Sequence, residues 1–156
     1  MAPEGLDGRF GTARIERAAL LEAAQAVLAR RLAPERAAEA TAFLALWAGG
    51  VADDDLLARA AEDVAGAALS LLEQARRRIP GTANVRCFKP TPDRDGWRSA
   101  HAVAEIVTDD MPFLVDSALA ALTQAGRAVQ LVVHPIVPVQ RDAAGTLVAF
   151  GPAAGA

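Results

Sequence analysis

Tyrosine is absent from this chain, and its other aromatics amount to two Trp and five Phe. Large rings supply much of the burial in an ordinary core. Over half of the residues are apolar, but many of them are alanine, so a thin core of modest stability is expected. Excess basic charge is also missing. A formal net charge of −3 argues against a nucleic-acid footprint. The single cysteine, Cys87, excludes an internal disulfide and fits a reducing compartment. No run approaches the roughly 20 apolar residues needed to span a bilayer. The N-terminus, with Glu4 and Asp7, lacks a secretory pattern. A cytoplasmic protein is expected, with neither membrane nor nucleic acid as a partner. A glycine-rich phosphate loop is lacking too, because Gly49-Gly50 follows a helical run and not a strand.

Helical periodicity fills the first half of the chain. Residues 1–11 carry Pro3, Gly5, Gly8 and Gly11 and read as a flexible leader. Thr12 is a candidate cap for a helix to about Leu32, with Leu21, Ala24, Leu28 and Leu32 along one side. Pro34 suits the first turn of a second helix that carries Phe43, Leu44 and Trp47 and stops at Gly49-Gly50. Asp53-Asp54-Asp55 fits the cap of a short helical turn, since it lacks the alternating ligands of a calcium loop. A further helix spans Ala61 to Arg78, with Val64, Ala68, Leu71, Leu72 and Ala75 on one side. Its last residues, Arg76-Arg77-Arg78, are placed to oppose the negative end of the helix dipole.

From Asn84 the pattern changes to short alternating runs. Strands are expected at Val85 to Lys89, His101 to Thr108, Ala128 to Arg141 and Thr146 to Phe150. A loop is expected at Pro90 to Gly96, and a helix at Pro112 to Gln124. Pro135 and Pro138 mark the third of these strands as bent or at an edge. Alternation places Arg86 and Cys87 on opposite faces, with Cys87 expected to be buried and inert.

The acidic run Asp109-Asp110-Met111-Pro112 is the one place where a ligand is expected. Free N–H groups at the following helix start suit a carboxylate, and either aspartate suits an ammonium group. The alternative is that both aspartates satisfy the helix start and offset its dipole. Phe113 projects away from the stripe of Val115, Ala118, Leu119 and Leu122, which makes it a candidate interface residue. It is expected to pack on the N-terminal helices, or failing that on a second chain. His101 and His134 have no closely spaced ligand partners, so no metal is expected. Ser117 lies within a helix with no histidine placed near it, so no catalytic residue is assigned.

Several short motifs follow one another between Ala61 and Gly145. They are Ala67-Ala68-Leu69-Ser70, Phe88-Lys89-Pro90-Thr91-Pro92 with Gly96-Trp97, Glu105-Ile106-Val107, the acidic turn, His134-Pro135 and Arg141-Asp142. In this the chain resembles the ACT-like region near the N-terminus of the large bacterial NAD-specific glutamate dehydrogenases. The resemblance implies an α+β fold in which N-terminal helices pack beside an incomplete ACT-like (βαββ) sheet, mainly antiparallel. Residues 12–82 would be the helical segment and 83–156 the incomplete ACT-like domain. It also implies that Phe113 stands where ACT turns usually carry glycine. By the same resemblance the parent enzymes deaminate glutamate to 2-oxoglutarate with NAD, while this segment holds no cofactor and serves assembly or regulation. Its partners would be a second copy or the rest of the dehydrogenase. The alternatives are an amino-acid sensor working at a dimer interface and a piece that does not fold alone.

Overall fold

Three packed helices hold most of the buried core. The computed structural model describes residues 6–152, so the first five residues of the expected leader and the last four of the chain lie outside it. Helix α1 (Leu6–Arg31) and helix α2 (Pro34–Gly49) pack with helix α4 (Ala61–Ala75), and the short α3 (Asp53–Leu57), in the link between α2 and α4, packs on α1. Leu28, Leu44, Leu56, Val64 and Leu72 are fully buried between them. Each such side chain stabilises the fold by about 2 kcal/mol. The expected stripes are the ones buried: Ala24 and Leu28 on α1, Phe43, Leu44 and Trp47 on α2, and Val64, Ala68 and Leu72 on α4.

Helix α1 begins at Leu6 and not at Thr12, so Thr12 lies inside the helix and does not cap it. Extending an existing helix costs far less than nucleating one, which outweighs the poor propensity of Gly8 and Gly11. The aspartates of α3 do not cap it either. Ala52 holds the N-cap position, and the Asp53 carboxylate accepts a 2.6 Å bond from Arg17 Nη1 on α1.

Helix α4 ends at Ala75, earlier than its periodicity predicts, and the three arginines part company there. Arg76 pairs with Glu39 and Glu73. Arg77 forms a β-bridge with Thr146. Arg78 turns into the molecule, its side chain only 6% exposed. The backbone explains the early end: Leu147 N–H donates to the Arg76 carbonyl at 2.8 Å and Arg78 N–H to the Gly145 carbonyl at 2.9 Å. Sheet-type pairing takes the groups that further helix would have used.

Two separate antiparallel ladders complete the α+β architecture. Strand β1 (Asn84–Phe88) pairs with β2 (Val103–Val107), with Val85 opposite Ile106 and Arg86 opposite Glu105. Strand β3 (Val139–Arg141) pairs with β4 (Leu147–Phe150). The β3–β4 hairpin is anchored to the helices by buried Leu147 and by the edge-on contact of Phe150 with Phe43, whose centroids are 5.7 Å apart.

The loop after β1 contains a four-residue helix, α5 (Pro92–Asp95). Asp95 accepts the Thr91 N–H at 2.7 Å and stabilises that turn. Directly after it, Trp97 is buried against Gly66 of α4 and meets Phe88 edge-on at 6.1 Å. Helix α6 (Leu114–Gln124) follows β2. The long strand expected over 128–141 forms a ladder only at Val139–Arg141. Pro135 and Pro138 have no N–H to donate, and no strand lies alongside the segment before them.

Acidic turn and uncovered apolar face

The connection from β2 to α6 places every residue of the expected ligand turn. Asp109 comes two residues after β2, and its carboxylate accepts hydrogen bonds from Arg78 Nη2 and, at 3.3 Å, from Gly81 N–H. Arg78 also donates from Nη1 to the Thr82 carbonyl at 2.7 Å. Asp109 therefore ties the turn to the chain just beyond α4 and takes no part in capping α6. The N-cap of α6 is Phe113, with no side-chain cap bond, and the acid in its first turn is Asp116. Asp110, Met111 and Pro112 are exposed beside it.

The hydrogen bond from Arg78 holds the Asp109 carboxyl below the ordinary aspartate value of 3.8; burial opposes this, while the charge of Arg78, the Gly81 N–H and Arg141 add to it. A depressed folded value stabilises the fold above the unfolded value, and the benefit is lost as pH falls through the folded one. Asp109→Asn is expected to lower Tm at neutral pH, with the gap to wild type closing below about pH 4. A gap that stays constant down the acid titration would show that the ionised carboxylate contributes nothing.

Phe113 does not pack on the N-terminal helices as expected. Its backbone is left-handed (φ 62°, ψ 14°), and its side chain is 77% exposed. The chain must reverse sharply between β2 and α6, and this conformation accomplishes the turn. Glycine adopts it freely, whereas a residue with a Cβ loses about 1–2 kcal/mol. The stripe of Val115, Ala118, Leu119 and Leu122 is only half covered, and α6 contains no buried residue.

The uncovered surface continues on both sides of this turn. On the β1–β2 hairpin, Arg86 bonds to Ser70 of α4 and to buried Glu105, at 2.6 and 2.7 Å. Alternation then sends Val85, Cys87, Ala104 and Ile106 to the outer face, where all four are exposed. Cys87 is thus exposed and not buried, because the salt bridge of Arg86 with Glu105 claims the inner side. Beyond α6, exposure alternates from 131 to 137: Leu131, Val133, Pro135 and Val137 are half-buried, whereas Val132, His134 and Ile136 face outward. This is the pattern of a strand, in a segment without a ladder. Among the described residues, no three His, Cys, Asp or Glu side chains are grouped to hold a metal ion, and no helix is long and apolar enough to cross a membrane.

Sequence reasoning located the turn but missed Arg78 as its partner, since the two lie 31 residues apart. The triple-arginine run was the only local signal. The outer face was partly legible as the alternation around His134.

Residues 43–156 match the family described as glutamate dehydrogenase, ACT1 domain. The chain is 33% identical over 123 residues to the NAD-specific glutamate dehydrogenase of Halomonas elongata, which covers 79% of this chain and 8% of that protein. It is 32% identical over 126 residues to the NAD-specific glutamate dehydrogenase of Pseudomonas aeruginosa, with the same coverage of 79% and 8%. The chain thus spans about 8% of the length of these relatives. No solved structure matches it.

Proposed function

Because the chain belongs to the glutamate dehydrogenase ACT1 domain family, we propose that it is an assembly and regulatory segment of an NAD-specific glutamate dehydrogenase. In this reading its uncovered apolar face docks on a second copy or on the rest of such an enzyme. Oxidation of glutamate to 2-oxoglutarate, and the NAD that takes the hydride, belong to other parts of that enzyme. The β2–α6 turn supports this division. It presents Asp110 and Phe113 at a helix start where a dinucleotide pyrophosphate would need glycines.

One observation carries the proposal. Phe113 keeps a large ring in solvent on a backbone conformation that penalises it, beside a helix with no buried residue. Exposed rings of this kind are what interfaces cover, and the outward-facing Val132 and Ile136 (the latter 63% exposed) extend the same chemistry.

Sedimentation velocity tests it on the whole chain, alone and mixed with a relative's dehydrogenase lacking the matching region. The chain is expected to sediment as a complex in at least one case. Phe113→Gly and Ile136→Lys are expected to abolish the complex. Phe113→Gly should hold or raise Tm, because it relieves left-handed strain of about 1 kcal/mol without removing a buried contact. A chain that stays monomeric alone and in the mixture would sink the proposal, as would variants that associate like the wild type.

A further inference from the structure

A second locus lies at the opposite end of the β1–β2 hairpin from the acidic turn. A cleft of about 410 Å³ opens where the α3–α4 link meets the loop after Trp97, and Arg59, Asp63, Arg98 and Ser99 line it. A neighbouring hollow of about 340 Å³ shares Asp63 and Arg98 and adds Arg31. From this arrangement we propose that the cleft binds a small oxyanion, a carboxylate or a phosphate, between the guanidinium groups of Arg59 and Arg98.

Two observations support the site. First, the Arg59 side chain has no carboxylate or carbonyl partner among the described residues; its Nε, like those of Arg76 and Arg141, is shielded from solvent, so its terminal nitrogens are the groups that an acceptor in the cleft would meet. By contrast Arg17, Arg36, Arg76, Arg78, Arg86 and Arg94 each meet a carboxylate. Second, Arg98 is only loosely held. Its Nε is 3.9 Å from Asp63 Oδ2, and the firm bond to Asp63, at 2.9 Å, comes from its backbone N–H. Its guanidinium is thus available to an incoming acceptor, and such a group can hold a carboxylate or phosphate through two parallel bonds.

The cleft carries two guanidiniums against one carboxylate, and with the neighbouring hollow three against two, Glu62 being the second acid. The site is also rigidly built. Trp97, buried against Gly66, anchors the loop that presents Arg98 and Ser99. The volume lies within the range of small-molecule sites. Nothing in this inference depends on the assembly role proposed above.

Titration calorimetry of the whole chain at pH 7 tests the site, with succinate and inorganic phosphate as separate probes at constant ionic strength adjusted with chloride. Saturable binding of at least one probe is expected. Arg59→Gln and Arg98→Gln should each weaken it about tenfold or more, the effect of losing a charge-assisted hydrogen bond. Arg127→Gln, at an exposed arginine beyond α6, should leave it unchanged. Binding of succinate alone would identify a carboxylate site, and binding of both probes a general oxyanion site. Circular dichroism checks the fold of each variant, and Arg98→Gln, on an exposed side chain, carries the test if Arg59→Gln does not fold. Failure of both probes to saturate, or equal weakening by Arg127→Gln, would overturn the assignment. Neither outcome would touch the sedimentation result.

Discussion

Gly66→Ala is expected to destabilise the chain by about 2–3 kcal/mol, although alanine is the better helix former by about 1 kcal/mol. A Cβ on Gly66 would lie 2.3 Å from Trp97 Cβ and 2.4 Å from its Cγ. These are the atoms at the root of the indole, so no rotation of the ring clears them. Either Trp97, now 5% exposed, leaves its place on α4, or the helix moves away from β2. Ejecting the indole also breaks its edge-on contact with Phe88 and frees the loop that carries Arg98. Urea unfolding should show the loss, and part of the indole emission should shift to the red while Trp47 stays buried. A double-mutant cycle isolates the cause. In a Trp97→Ala background the same substitution should become neutral or slightly stabilising, because the obstacle is gone. A penalty that persists in that background would mean that the glycine is needed for some other reason.

Gly145→Ala should cost about 3 kcal/mol or more, and the loss should be local. Gly145 has φ 79°, and a Cβ there would stand 2.3 Å from the carbonyl oxygen of Arg78. Here the obstacle is backbone, which cannot swing aside, and the left-handed strain of about 1–2 kcal/mol adds to it. The affected segment is the one in which Arg78 N–H donates to Gly145 and Leu147 N–H to Arg76. The β3–β4 hairpin should detach from the helical layer, uncovering Phe43 where Phe150 had packed. Hydrogen exchange distinguishes this from general destabilisation. The Arg78 and Leu147 amides should lose protection, while amides around Leu28 and Leu44 in the helix interiors keep theirs. A uniform loss across the chain, or none, would show that the hairpin is not docked through this contact.

Both substitutions act at points where two segments distant in sequence meet, and sequence reading was weakest at such points. The bundle was legible because helical periodicity is a local property: Leu28, Leu44 and Leu72 declare the buried side of their helices without reference to any partner. The order of motifs from Ala67 to Asp142 was enough to indicate the family, which the match over residues 43–156 shows.

Other expectations failed because they depended on partners that the sequence does not identify. The expected strand over 128–141 had the right alternation, but alternation records only which side faces in; a ladder also needs a neighbour, and one exists only for Val139–Arg141. Cys87 read as buried because alternation sets it on the face opposite Arg86. Its side was decided by Arg86, which reaches Glu105 and Ser70 across the hairpin and α4. Phe113 was expected to pack on the N-terminal helices before a second chain, yet the sharp reversal into α6 gave it a left-handed backbone and left its ring exposed.

The sequence by itself therefore determined the helices, their buried stripes, the change to β-type runs after Asn84 and the family, all carried by spacing along the chain. Only the tertiary structure decided that Asp109 belongs to Arg78, that α4 stops short of the arginine run, and that Arg59 and Arg98 share a cleft. The first two are settled by hydrogen-bonding groups and charges that meet across long sequence separations, where satisfying a buried polar group outweighs what its neighbours in the chain would prefer.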